Sequence, residues 1–257
     1  MLHSIVSYLK FLMRSTNQHG VHSPFVYNLI TACFYDKTNY NSYRLISTFR
    51  KHLKTSKQAL EVKDLGSGSR VFNSNKRSVS KMAKNVGSTQ KETKLLYRLV
   101  NYFQSHTILE LGTSLGIATH ALHLGNPEAK ITTIEGCTNI SNFTKGTFKQ
   151  FNLKNIEILT GDFKDIIKPL TSNNYDLIYF DGNHQKQATI DYFKTLLPTA
   201  TNDSVFIFDD IYWSKDMTEA WNIIKNHPQV TVTIDTFFWG IIFFRKEQAK
   251  EHFTIRI

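Results

Sequence analysis

From residue 107 onward, short apolar runs alternate with amphipathic stretches. The pattern predicts strands at 107–111, 130–135, 156–160, 175–181, 203–208, 229–236 and 240–246, with helices at 116–125, 138–151, 163–170, 185–197 and 215–226 between them. Strand and helix in regular alternation imply an α/β layer architecture with a mostly parallel sheet, because a parallel strand is reached only through a crossover and the crossover helix covers a sheet face. The last two strands are joined by too few residues for a crossover, so Phe237 to Gly240 must turn a hairpin and the final strand runs antiparallel.

Upstream the period changes to that of helices. Thr89 with Glu92 three residues later forms a capping box for a helix carrying Leu95, Leu96, Leu99, Val100 and Phe103, and a shorter helical pattern covers 78–86. Residues 1 to about 57 read as three helices. The first has an apolar stripe of Leu2, Ile5, Val6, Leu9, Leu12 and Met13, interrupted by Lys10 and without a small-residue cleavage site, which predicts a packed helix rather than a signal peptide. Ser23 before Pro24 is an N-cap and first-turn pair for the second helix, which continues through Phe25, Leu29 and Cys33. Leu45, Ile46, Phe49 and Leu53 mark the third. The expected organisation is an N-terminal helical cap over residues 1–75 followed by an α/β domain over 76–257.

Composition narrows the class. With 257 residues, 41% of them hydrophobic, including 19 Phe and 11 Tyr, the chain can fill a sizeable core as one large or two small domains. Its two cysteines, Cys33 and Cys137, have neither a C-x-x-C spacing nor a Cys/His ligand pattern, so no disulfide framework or zinc site is expected and a reducing, cytoplasmic setting is. The longest apolar run, Phe237 to Phe244, is far short of the roughly 20 residues that span a bilayer, and no membrane partner is expected. A net charge of +10 invites a nucleic-acid reading, but the lysines are scattered rather than blocked, which favours a basic solvated surface over an RNA partner. His19 and His22, in a Gly-Ser-Pro segment, are expected to be exposed.

The candidate chemistry centres on Ile108 to Ala118, where an apolar run closes on Glu110 and breaks into Gly112 and Gly116: strand, tight turn, helix start. Glycine lets a ligand approach the backbone, and the N–H groups opening the next helix supply donors. The glycines stand four apart with Ser114 between them and no third, so the G-x-G-x-x-G of dinucleotide sites is missing. A second glycine motif, Asp64, Gly66 and Gly68 in Val62–Ser69, has a poor strand before it and no helical period after it. It is read as a loop leading into a basic stretch, Arg70, Lys76, Arg77, Lys81 and Lys84, taken as a solvated turn. Each apolar strand ends on an acid: Glu110, Glu135, Asp162 just beyond its strand, Asp181, and Asp209 with Asp210. Strand ends of a doubly wound sheet face one crevice. Glu135, 25 residues beyond Glu110, stands where a carboxylate can accept both ribose hydroxyls of a nucleoside.

In these motifs the sequence resembles the class I S-adenosylmethionine-dependent methyltransferases, and within them the catechol and caffeoyl-coenzyme A type with its ELGT loop; the resemblance runs from about residue 88 to the end. It implies a Rossmann-like, doubly wound, mostly parallel seven-stranded sheet with an antiparallel last strand. It implies S-adenosyl-L-methionine as cofactor, held by Glu110, Gly112, Thr113, Ser114, Gly116, Glu135, Gly136, Asp162, Phe163 and Asp181, with Asp162 and Phe163 near the adenine. In IYFDGNH, Asp181 matches the first metal ligand of the family and His184 stands where the family has its lysine base, so Asp181 and His184 are the catalytic candidates. Asp209 and Asp210 fall where the family has an Asp-Asn ligand pair, and the Asp-Asp form resembles metal-dependent sugar O-methyltransferases. Three carboxylates, Asp181, Asp209 and Asp210, would repel one another without a cation, and all-oxygen ligation favours Mg2+, Mn2+ or Ca2+ over zinc. The expected reaction is methylation of a small-molecule hydroxyl, with an RNA or protein methyltransferase and a non-catalytic cofactor-binding protein as the alternatives. Trp213, just past the Asp pair, is the aromatic candidate for the acceptor pocket; Trp221 is expected in the core and Trp239 is read as structural.

Overall fold

The computed structural model describes residues 2–63, 74–85 and 87–257. In chain order the elements are α1 (Leu2–Arg14), α2 (Pro24–Leu29, continued by a π-helical turn Ile30–Phe34), α3 (Ser42–Thr55), β1 (Ala59–Glu61), β2 (Lys76–Ser78), α4 (Val79–Asn85), α5 (Gln90–Phe103), β3 (Thr107–Leu111), α6 (Ile117–Gly125), β4 (Lys130–Glu135), α7 (Thr138–Gln150), β5 (Ile156–Thr160), α8 (Phe163–Leu170), β6 (Leu177–Phe180), α9 (Lys186–Leu196), β7 (Val205–Phe208), α10 (Lys215–Lys225), β8 (Val232–Asp235), β9 (Gly240–Phe243) and β10 (Glu251–Thr254). The second glycine motif at Asp64, Gly66 and Gly68 lies outside the described residues, as does Arg70.

Two compact units emerge, one of residues 37–166 and one of residues 1–36 with 167–257. In the first, β4 pairs in parallel with β3 on one side and β5 on the other. α3 belongs here: Phe49 and Leu53 are buried in one cluster with Leu115, Ile117, Ile140 and Phe148, whereas Leu45, expected on the same face, is exposed. The capping box forms, Thr89 accepting from the Glu92 amide while the Glu92 carboxylate accepts from the Thr89 amide. The segment ahead of the second glycine motif, which the sequence does not predict as a strand, pairs as β1 with β2 in a short antiparallel ladder. Lys76 and Arg77 are therefore strand residues, and Lys81 and Lys84 are helical rather than part of a turn.

In the second unit the strand order is β10-β8-β9-β7-β6. β6 and β7 run parallel, and β9 is antiparallel to both β7 and β8, closing the expected hairpin, with the Trp239 carbonyl accepting from the Thr236 amide. The predicted seventh strand, β9, is antiparallel as expected, but an eighth follows it: β10 pairs in parallel with β8. Only Phe253 of β10 and none of its neighbours at 251 and 252 is buried, so its apolar alternation is too weak to read. Ser23 caps α2 as expected, accepting from the Val26 amide. α1 is helical but packs through the wrong face for a core-facing stripe: Ser7 and Phe11 are buried, while Leu2, Ile5, Val6, Leu9 and Met13 are exposed. Trp221 and Trp239 are both buried, as their structural assignment requires. Among the described residues no helix is long and apolar enough to cross a membrane.

Candidate functional site

In the unit of residues 37–166, β3 delivers Glu110 into the interior. Its carboxylate is fully buried and accepts from the hydroxyls of Thr119 (2.5 Å) and Thr133 (2.6 Å), tying the end of β3 to α6 and β4. The turn that follows needs unusual backbone: Gly112 has φ +111°, Ser114 +47° and Gly116 +76°. At Gly116 the constraint is double, because a Cβ there would also lie 2.3 Å from Cε1 of Phe148. The amides of Gly112 and Thr113 both donate to the Ile134 carbonyl, and the Thr144 hydroxyl donates to the Ser114 carbonyl, so the loop is held from β4 and from α7.

Glu135 ends β4, buried, with each carboxylate oxygen accepting one backbone amide: Oε2 from Ser114 and Oε1 from Cys137, both at 2.8 Å. The carboxylate at the tip of β4 thus fixes the position of the glycine loop. Gly136 lies between the two residues of the Glu135–Cys137 clamp, and Thr113 is turned inward, its hydroxyl 2.7 Å from that of Thr133. Asp162 accepts from the Lys164 amide at 2.9 Å, and its carbonyl accepts from Asp165 and Ile166, so it caps α8, which begins at Phe163.

A residue the sequence does not flag adjoins this loop. His120, one turn into α6, is buried with its imidazole stacked on the Phe49 ring at 4.4 Å and 18°. Burial, assisted by the neighbouring His123, pushes its pKa down from 6.5 to about 3. Its partner Phe49 comes from α3, and no local sequence pattern announces a pairing across 71 positions.

In the other unit Asp181, directly after β6, His184 in the loop before α9, and Asp209, directly after β7, converge: one ligand atom from each lies within 4.8 Å of the others. His184 Nε2 is 3.8 Å from Asp181 Oδ1 and 4.0 Å from Asp210 Oδ2. Burial holds the His184 pKa below its ordinary value, and the charge of Asp210 opposes the shift. Asp210 itself has left-handed backbone (φ +55°) and a more exposed side chain than Asp181. Of the three carboxylates expected as ligands, Asp181 and Asp209 lie with His184 in the converging group, and Asp210 borders it through His184. Two carboxylates and an imidazole within this spacing form a donor set that suits a divalent cation, Mn2+ or a similar transition ion as readily as Mg2+. Trp213 is partly buried with its ring 6.0 Å from that of His184, the neighbourhood expected of an acceptor-pocket residue. His19 and His22 are exposed.

Residues 109–211 match the sequence model of a family described as a methyltransferase domain. No curated protein sequence matches the chain at a significant level. Among solved structures, the chain is similar to an SAH-bound methyltransferase of Podospora anserina (13% identity, TM-score 0.60, covering 88% of this chain and 98% of that one). It is similar also to an O-methyltransferase of Bacillus cereus in complex with SAH (16%, 0.54, 83% and 95%). A third is an O-methyltransferase of Streptomyces achromogenes involved in tomaymycin synthesis, in complex with SAM (14%, 0.56, 81% and 91%). Glu110, Glu135, Asp181 and Asp209 all fall within the matched segment, at or just beyond the ends of β3, β4, β6 and β7. Residues 109–211 thus match a methyltransferase-domain model, and the chain shares the α/β fold of these SAH- and SAM-bound methyltransferases.

Proposed function

We propose that the protein transfers the methyl group of S-adenosyl-L-methionine to the hydroxyl of a small molecule, releasing S-adenosylhomocysteine, in a cytoplasmic setting. The observation that carries the reading is Glu135: a buried carboxylate at the tip of β4, clamped by two backbone amides beside a glycine loop of left-handed backbone, at a strand end where a carboxylate can accept ribose hydroxyls. The assignment gives Glu135 the ribose hydroxyls, and the backbone of Gly112, Thr113, Ser114, Gly116 and Gly136 the rest of the nucleoside and amino-acid portion. Asp162 and Phe163 are assigned to the adenine. Glu110 acts through the scaffold, holding Thr119 and Thr133. Residues 76–257 make the catalytic domain and residues 1–75 an extension to it, of which α3 contributes Phe49 and Leu53 to the core cluster that contains Leu115.

Methyl transfer is an in-line displacement, so the enzyme must orient the acceptor oxygen and remove its proton. His184 is assigned the proton: a neutral imidazole accepts one at Nε2, and the carboxylates of Asp181 and Asp210, 3.8 and 4.0 Å away, stabilise the imidazolium formed. Asp181 and Asp209 are the residues that would hold a divalent cation, with Asp210 beside them. A cation so held would lower the pKa of a ligated hydroxyl. The family resemblance of the structural neighbours, two of them O-methyltransferases, supports a hydroxyl acceptor.

The test is isothermal titration with S-adenosylhomocysteine, with Mg2+ or Mn2+ and with chelator. Micromolar binding that is lost in Glu135→Ala is expected. Absence of binding in every condition, in protein shown to be folded, would overturn the proposal.

A further inference from the structure

The 13 residues of α1 include no acid, and their apolar positions form a stripe at helical spacing: Leu2, Ile5, Leu9 and Met13, widened by Val6. In a helix that packs on its own domain, such a stripe faces inward. Here Ser7 and Phe11, on the opposite side, face inward instead, and the stripe is turned to solvent, with Leu2 76% and Met13 79% exposed. The orientation is firmly held. The Phe11 and Tyr8 rings pack on Phe237 at 5.6 and 4.8 Å, His3 bonds the Thr218 hydroxyl at 3.0 Å, and the backbone after the helix pairs with the end of β10 through Thr16.

Charge at the edge of the stripe indicates what covers it. Lys10, exposed, flanks it on one side, and Arg256 reaches the C-terminal end of the helix, its guanidinium bonding the Ser15 hydroxyl at 3.2 Å and the Leu12 carbonyl at 3.5 Å. An apolar stripe with a cationic edge complements an anionic lipid surface, which takes up the apolar side chains and pairs the cations with headgroups. Pairing of two copies through the same face would bring together two cationic edges on chains of net charge +10 each, which disfavours it.

We propose that α1 docks the protein reversibly on anionic membrane surfaces through Leu2, Ile5, Leu9 and Met13, with Lys10 and Arg256 supplying the charge attraction. The helix lies in the interface and does not span. None of these residues is among those assigned to catalysis, and the proposal stands whichever hydroxyl is methylated.

The test is co-sedimentation of the full chain with vesicles of phosphatidylcholine containing about 30% phosphatidylserine, against phosphatidylcholine alone. Expected is binding to the anionic vesicles only, weakened by salt and reduced about tenfold or more in Ile5→Asp/Leu9→Asp, with Lys10→Glu losing part of the preference. The substituted side chains are exposed, and circular dichroism with a thermal melt checks that the variant folds; Ile5→Gln/Leu9→Gln, without added charge, should also bind less. Equal binding by wild type and both double variants, or no binding by wild type, overturns the proposal. Sedimentation equilibrium showing a dimer that Ile5→Asp/Leu9→Asp dissociates, with no vesicle binding, would overturn it in favour of an interface between copies.

Discussion

Acid should loosen this protein through one buried histidine. His120 stacks on Phe49 with 3% of its surface exposed, and its Nδ1 is buried without a hydrogen-bond partner, so a proton on the ring would be held in an apolar setting next to His123. Its folded pKa is about 3, against 6.5 for the free side chain. Because the folded value is depressed, the unfolded chain binds more protons below pH 6.5. The stabilisation is complete above 6.5 and is lost progressively as pH falls from there toward 3. At about 1.4 kcal/mol per pH unit, the loss between neutral pH and pH 5 is about 2 kcal/mol, a large fraction of the 5–15 kcal/mol typical of a folded protein. Urea unfolding at steps of pH would measure it, and His120→Phe, which keeps an aromatic ring against Phe49 but cannot titrate, should flatten the curve by about that amount. The same acid slope in His120→Phe as in wild type, or an imidazole titrating near its free value in the native state, would refute the reasoning.

Other consequences follow from the same geometry. Gly116→Ala places a Cβ 2.3 Å from the buried Phe148 ring at φ +76°, so urea unfolding should show a loss of about 3 kcal/mol from backbone strain and overpacking together. Tyr212 donates to Asp235 at 2.5 Å, and burial already holds the Asp235 pKa above its ordinary value. Tyr212→Phe should therefore destabilise by about 2 kcal/mol at pH 7, and the deficit should shrink as pH is lowered and Asp235 takes its proton in the folded state before the unfolded one does. In Mn2+ titrations, Asp209→Ala should abolish binding while Asp210→Ala weakens it less, since Asp209 converges with Asp181 and Asp210 is turned toward His184; equal losses would contradict the observed donor set.

Much of the fold is legible in the sequence because its elements are locally consistent. The strand at Thr107–Leu111 and that at Ile156–Thr160 match their predicted bounds, and the Thr89 box caps its helix as read, since backbone donors, caps and apolar period act within a few residues. The last two strands are shorter than predicted, at Val232–Asp235 and Gly240–Phe243, because apolar residues continue past the point where pairing stops. β10 is invisible for the opposite reason: its sequence EHFT has a single buried apolar residue, and it is a strand only because β8 offers it an edge.

Within the site, local chemistry accounts for Glu110, Gly112, Gly116 and Glu135: an acid at a strand end and glycines where the chain must turn are properties of the segment itself. Which donors share a point in space is not such a property. Asp181 and His184 are three residues apart and Asp209 is far along the chain; only the pairing of β6 with β7 brings them together. The stripe on α1 shows the same division. Its spacing makes a helix wherever the chain lies, since the period is set by backbone geometry. Whether that stripe faces a core or solvent depends on what the opposite face meets, and here Phe11 meets Phe237 from the far end of the chain. Sequence alone determined the order and type of the principal elements and the residues able to bear chemistry; tertiary packing decided which of those residues meet, because side-chain proximity across strands and helices is set by long-range contacts that no local period encodes.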